Sequence, residues 1–432
     1  MQQQPKKLEE YEWICSEPFT SITTRTTGTY EPCCVLTLDL TGNDARDRSL
    51  MRQLGVEVDE STDLSIAIDS ILPSISDTTF DKTPFITSTP ALILKKAFID
   101  NDREILDVVC RTCVQQEKAG VKSHRINYLD EFKEPEAKET LERAIHNYTE
   151  PPEQYHSVDL TGLIGNVCNL ACNMCHEVSS SKYASEVIRL KEIPLERAVV
   201  RQDPSESFLK HLQYELLPKT NTIKVTGGEP LMSKQFMSMI SDIHPDIKKK
   251  LSLKISTNLT RDPGDFVTQV APFKDVNMLI SVEGVGKVQE YIRYPSKWQT
   301  IVDNIPILKK EYNISSISFA TTVNALNIAY NYQVCQAAEQ LDVGTTFGSL
   351  VTSNFYTIDS IPLDIRDQYL NKMYQYGRQY NEVRDLIKLL EQSNYNENQM
   401  WGMLKHIKRR DILRKRNLLD VFPEWEPYYN QL

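Results

Sequence analysis

The sequence predicts an α/β fold: a partial (β/α)6 TIM-type barrel preceded by a small N-terminal cysteine-rich α+β module. Two observations carry this. From about residue 155 onward, short apolar runs alternate with stretches of helical spacing, and such alternation implies parallel strands joined by right-handed crossovers. Eight of the nine cysteines fall before residue 176, so the first part of the chain differs in composition from the rest.

The expected strands are HSVDLTGLIG (156–165), TIKVTGG (222–228), SLKISTN (252–258), VNMLISVEG (276–284), SISFATTVN (316–324) and GTTFGSLVTS (344–353). Between them LMSKQFMSMISDI (231–243) and IAYNYQVCQAAEQL (328–341) have helical spacing. Six units are fewer than the eight of a closed barrel. Upstream, ITTRTTGTYEPCC (22–34) reads as two short strands around a turn at Gly28, and 39–90 as an irregular insertion with short helices. A helix is expected over 92–110, an amphipathic helix over 133–148, and a linker at TEPPEQ (149–154). The organisation is therefore a cysteine-rich module with its insertion (1–130), a helix and linker (131–154), the barrel (155–360) and a helical extension (361–432). Within the extension 364–392 reads as helical, and the whole is expected to cap the open side of the barrel, with substrate contact the alternative.

A chain of 432 residues, 40% hydrophobic and 25% charged, suits a soluble globular protein of about two domains. No apolar run approaches the roughly 18–20 residues that span a bilayer. The start MQQQPKKLEEYEW lacks the apolar stretch of a signal peptide, so a cytoplasmic location is expected. The net charge of −10 disfavours bulk nucleic-acid binding. One basic stretch, KHIKRRDILRKR (405–416), is expected to be a solvated helix face.

Clustered cysteines in a reducing compartment point to metal or redox chemistry rather than disulfides. CNLACNMC sets Cys168, Cys172 and Cys175 at C-x3-C-x2-C, directly after the first barrel strand, where parallel α/β folds place their chemistry. A [4Fe–4S] cluster takes one thiolate per iron, so three cysteines leave one iron open to bind a small molecule. Zinc is the alternative, but it prefers four ligands, and His176 directly follows Cys175, a poor position from which to complete one tetrahedron.

The triad resembles the signature of the radical S-adenosylmethionine (SAM) superfamily. The resemblance implies that the open iron chelates SAM, whose reductive cleavage gives methionine and a 5′-deoxyadenosyl radical that abstracts hydrogen from a substrate. TGGEP (226–230) is similar to the family's GGEP motif, which implies that Gly227, Gly228 and Glu229 meet the SAM amino group through their backbone. Ser256 and Asn258, ending the third strand, resemble ribose-contacting residues. Glu283 ends the fourth strand in SVEG, Arg293 in EYIRYP resembles the arginine that pairs with the SAM carboxylate, and Asn324, ending the fifth strand, is expected to line the adenine or substrate side. Where relatives often carry an aromatic residue before the third cysteine, this chain has Met174. No separate catalytic acid stands out; Tyr183, Glu229 and Glu283 are the candidates.

Four more thiols, Cys15, Cys33 (or its neighbour Cys34), Cys110 and Cys113, would complete either a zinc site or a second cluster. The stretch from Cys110 and Cys113 through Glu117, Gly120, Ser123 and Arg125 resembles a twitch or SPASM-type module, which implies an auxiliary [4Fe–4S] cluster. In relatives that module follows the barrel, whereas here it precedes it. Cys33 is the expected ligand of its pair, and Cys335 an inert buried thiol. The resemblance further implies a peptide or protein substrate and an electron donor such as flavodoxin or ferredoxin. A zinc-stapled scaffold, or a regulator that binds SAM without turnover, is the alternative reading.

Overall fold

The computed structural model describes residues 6–24, 28, 30–33, 48, 49, 52, 59, 85–118, 120, 122–192, 204–311, 313–351 and 355–432. Most of the 39–90 insertion, and Cys34, lie outside the described residues. The chain divides into two compact units. The first comprises Met1–Gly165, Val200–Gly227 and Asp242–Leu253; the second comprises Asn166–Val199, Gly228–Ser241 and Lys254–Leu432.

In the first unit, β1 (Ser21–Thr24) and β2 (Tyr30–Glu31) form the expected antiparallel hairpin, with Thr24 opposite Tyr30. β1 also runs parallel to β3 (Tyr155–Asp159), Ser21 opposite Ser157, and β3 runs parallel to β4 (Thr220–Val225). The cysteine-rich segment thus adds a strand beside the first predicted barrel strand, a pairing that the strand spacing in the sequence did not reveal. β3 is shorter than expected. Asp159 ends it by accepting a hydrogen bond from the Thr161 amide (2.8 Å), and residues Thr161–Ile164 form a short helix. Hydrophobic burial in this unit centres on Phe19, Leu94, Phe98, Leu106, Leu141 and Ile145. The helix expected over 92–110 is two helices, Thr89–Asp100 and Arg103–Val109. Asn101 breaks it in a left-handed conformation, and Asp102 caps the second piece by accepting from the Glu104 amide.

β5 (Ser252–Thr257) runs from the first unit into the second. In the second unit, β6 (Asp275–Ser281), β7 (Ile314–Val323) and β8 (Gly344–Leu350) are parallel, β6 against β7 and β7 against β8. The fold class is α/β, of the partial-barrel kind. β6 shows how such strands divide their faces. Val276, Met278 and Ile280 are fully buried, while Asn277, Leu279 and Ser281 between them are only half-buried. The stretch read as one helix over 364–392 is two, Leu363–Tyr376 and Asn381–Glu391. They part at Gly377, where a Cβ would lie 2.5 Å from Val383 Cγ1. Among the described residues no helix is long and apolar enough to cross a membrane.

Candidate functional site

The cysteine loop is held mainly through its backbone. The Ala171 amide donates to Tyr294 O (2.6 Å), the Asn173 amide to Ile292 O (2.8 Å) and the Cys175 amide to Cys172 O (3.1 Å). Ser180 Oγ donates to Leu170 O (2.5 Å), and the Cys168 amide donates to Ser181 Oγ (3.2 Å). Ser180 caps the helix Ser181–Arg189, so the loop ends in a fixed helical start. Every second residue from 171 to 175 is thereby pinned, and the thiols sit on a rigid frame.

Gly227 and Gly228 take φ of +75° and +44°, a left-handed pair that side chains would strain. Glu229, 1% exposed, spends its carboxylate inside the protein. It accepts from Thr257 Oγ1 (2.6 Å), the Asn258 amide (2.7 Å) and the Leu231 amide (3.1 Å), and its own amide donates to Val167 O (2.7 Å). Burial pushes its pKa up, and those three hydrogen bonds oppose the rise. Asn258 is likewise occupied: its Nδ2 donates to Asn169 Oδ1 (3.0 Å), and its Oδ1 accepts from the Thr260 amide and hydroxyl. Ser256 lies half-buried on the alternate face of β5.

Glu283 and Arg293 form a buried pair. Glu283 Oε1 accepts from Arg293 Nε (3.1 Å) and Nη2 (2.7 Å), while Oε2 accepts from the Thr322 amide (2.9 Å) and Asn327 Nδ2 (3.2 Å). The remaining arginine nitrogen, Nη1, lies 3.7 Å from Cys172 Sγ. Burial pushes the Glu283 pKa up and the adjacent guanidinium opposes it. Asn324 has a local role: its side chain donates to Thr322 O and accepts from the Leu326 amide, closing the turn after β7. Gln289, whose Oε1 accepts from the Glu283 amide (2.7 Å), and Asn327 support Glu283 and were not legible in the sequence, since neither belongs to a spaced motif. Tyr183 offers no spare donor either. Its hydroxyl accepts from Arg410 Nη2 (2.9 Å) and shares a hydrogen bond with His406 Nε2 (3.0 Å), and burial pushes its pKa to about 12.

The three thiols suit a cluster. Burial pushes the Cys168 pKa up to about 12 and raises those of Cys172 and Cys175. Neighbouring thiols add to the rise at Cys168 and Cys175, while Arg293 opposes it at Cys172. Such thiols stay protonated until cations displace the protons. The Leu170 amide (3.5 Å to Cys168 Sγ) and Arg293 supply the donors that thiolate sulfur accepts. Among the described residues no three or more His, Cys, Asp or Glu side chains are set as about a single metal ion. Each thiolate of a four-iron cluster instead takes its own iron.

In the first unit, Cys15, Cys33, Cys110 and Cys113 line one pocket, together with Trp13, Phe98, Arg125 and Tyr128. The C-x2-C pair straddles a helix junction, with Cys110 closing Arg103–Val109 and Cys113 in the first turn of Arg111–Lys118. The residues spaced after it also come together. Glu117 accepts from Arg125 Nε and Nη2 (both 2.8 Å), Ser123 Oγ (2.5 Å) and Trp13 Nε1 (2.9 Å), and Arg125 Nη1 reaches Ile14 O (2.9 Å). Burial works to raise the Glu117 pKa, but these donors outweigh it and hold the group below the usual carboxylate value. Burial raises the pKa values of Cys15 and Cys110.

Also in this unit stands Asp159, which carries no sequence signal of its own. It is 5% exposed, accepts from Thr161 Oγ1 (2.5 Å), and has its pKa raised to about 6, chiefly by burial.

Residues 163–329 match the family model of the Radical SAM superfamily. No curated protein matches the chain. Among solved structures, anSMEcpe with bound AdoMet is 12% identical with a TM-score of 0.39, covering 61% of this chain and 67% of that one. SuiB of Streptococcus suis is 13% identical with a TM-score of 0.33, covering 71% of this chain and 64% of that one. Likeness at this level carries no argument about substrate. The family match contains the cysteine loop, the GGEP turn and the Glu283–Arg293 pair, so this stretch of the chain, residues 163–329, is similar to the enzymes of the Radical SAM superfamily.

Proposed function

We propose that the chain binds a [4Fe–4S] cluster on Cys168, Cys172 and Cys175 and acts on a peptide or protein. When bound, the cluster and SAM supply reductive cleavage to a 5′-deoxyadenosyl radical, which takes a hydrogen from that substrate. The carrying observation is the arginine between sulfur and carboxylate. Two nitrogens of Arg293 are fixed on buried Glu283, and the third lies 3.7 Å from Cys172 Sγ. That arrangement holds a positive charge beside the cluster thiolate and the SAM carboxylate, with little conformational freedom left to lose on binding.

The turn at Gly227, Gly228 and Glu229 presents its backbone to the SAM amino group, and Ser256 offers a hydroxyl to the ribose. Asn258, Glu283 and Asn324 shape the site from behind, through the internal hydrogen bonds already described. The peptide substrate rests on the resemblance to twitch and SPASM enzymes. In the same reading Cys15, Cys33, Cys110 and Cys113 hold a second [4Fe–4S] cluster. Four thiols in one cavity support this, and full ligation suits an electron-carrying or structural role. The enzyme works in the cytoplasm, where thiols stay reduced, with electrons from a flavodoxin or ferredoxin.

Anaerobic reconstitution with iron and sulfide tests the reading. The protein should turn brown, with broad absorbance near ~400 nm, and release 5′-deoxyadenosine from SAM when dithionite is added. Replacing Cys168, Cys172 and Cys175 together by Ala should abolish that release and leave about four irons per chain. A colourless, zinc-loaded protein, or full SAM cleavage by the triple variant, would overturn the proposal.

A further inference from the structure

Arg414 ends the helix Glu397–Arg414, well outside the stretch that matches the family model. Its side chain is 4% exposed, and every guanidinium nitrogen is used. Nη2 donates to Ala171 O (2.6 Å) and Nη1 to Asn173 Oδ1 (2.7 Å), one on each side of Cys172. Nε and Nη2 also grip Glu186 (2.7–3.2 Å), on the helix that follows the cysteine loop. The guanidinium stacks over Tyr294 at 4.8 Å, the residue whose carbonyl receives the Ala171 amide. One turn earlier, Arg410 bonds Glu192 and the hydroxyl of Tyr183, and the Tyr183 ring packs in a small apolar cluster against Cys175.

We infer that Arg414 is a positioning residue that clasps the cysteine loop around Cys172 and adds a fixed positive charge behind the cluster. This rests on the reading that the loop holds a [4Fe–4S] cluster. A planar fork is needed, because three acceptors in different directions are met from one side chain, whereas a lysine would keep the charge and lose the fork. The position of the charge matters as well. It is held by hydrogen bonds to the residues on either side of Cys172, where a positive charge favours the reduced, more negative state of a cluster bound there.

The test uses the full chain as Arg414→Ala and Arg414→Lys, each with three readouts. Amide hydrogen exchange of peptides covering 168–176, in iron-free reduced protein, should quicken about tenfold or more in both variants, as expected on losing hydrogen bonds to a charged group. In reconstituted protein, EDTA should strip the SAM-responsive cluster several-fold faster from both. The midpoint potential of that cluster, followed by EPR, should shift negative in Arg414→Ala and return toward wild type in Arg414→Lys.

Unchanged exchange in Arg414→Lys overturns the clasp, and that variant decides the point alone should Arg414→Ala fail to fold. A potential that shifts equally in both variants overturns the charge role. Wild-type protein that takes up no cluster at Cys168, Cys172 and Cys175 sinks the proposed function instead, while the exchange result still decides whether Arg414 holds the loop.

Discussion

Replacing Arg293 by Ala should destabilise the fold by about 3 kcal/mol at neutral pH, through the carboxylate it leaves behind. Glu283 is 0% exposed and has four hydrogen bonds, two of them from Arg293. Removing one partner of a buried ion pair costs about 3–5 kcal/mol, and the two neutral donors that remain place this case at the low end. The loss should depend on pH in a definite direction. Burial already raises the Glu283 pKa and the guanidinium opposes that rise, so the variant raises it further. A carboxyl whose pKa is higher folded than unfolded binds more protons in the folded state. Stability then falls as pH rises from the unfolded value near 4.5 through the folded one. The deficit should therefore be larger at high pH and shrink as the pH falls toward the unfolded value. Urea denaturation of reduced, iron-free protein at several pH values measures it. The double variant Arg293→Ala/Glu283→Gln, which removes both charges, should recover most of the loss. A deficit below about 1 kcal/mol at pH 8, or one that does not shrink in acid, would refute the reasoning.

Asp159, with its pKa raised from 3.8 to about 6, should cost the native state about 3 kcal/mol once ionised. The penalty is absent below about pH 4 and complete above about pH 6, so Asp159→Asn should be the more stable form at pH 7 and lose that advantage at pH 4 in thermal scans. Gly227→Ala forces a side chain into φ +75° and should cost about 1–2 kcal/mol in chemical denaturation, with a matching loss of SAM affinity measured by calorimetry.

The sequence carried the strands, the cysteine triad and the turn motifs because each rests on local spacing. β5 to β8 fall where apolar alternation places them, and Ser123 and Arg125, singled out with Glu117 by the resemblance, both hydrogen-bond to it. What it could not carry were bonds between distant segments. The basic run 405–416 reads as a solvated face because charge alone is visible in a sequence. In the structure Arg410 and Arg414 turn inward to Glu192 and Glu186, more than two hundred residues earlier. Asn258 and Asn324 illustrate a related point. A polar residue at a strand end can serve a ligand or its own turn, and the bonds from Thr260 and Leu326 to these two side chains are not visible in the spacing. The helix breaks at Asn101 and Gly377 went unread because the apolar spacing continues across them.

The contact from Arg414 to Ala171 spans 243 residues, and this separation gives assembly an order in time. On a ribosome adding roughly 5–20 residues per second, the cysteine loop is made about 10–50 s before its clasp. During that interval the thiols of Cys168, Cys172 and Cys175 lack the guanidinium that later fastens their backbone. A nascent chain stalled before residue 414 should therefore present a loose, accessible loop to whatever delivers iron and sulfide, and the helix Glu397–Arg414 should shut the loop around what it has received.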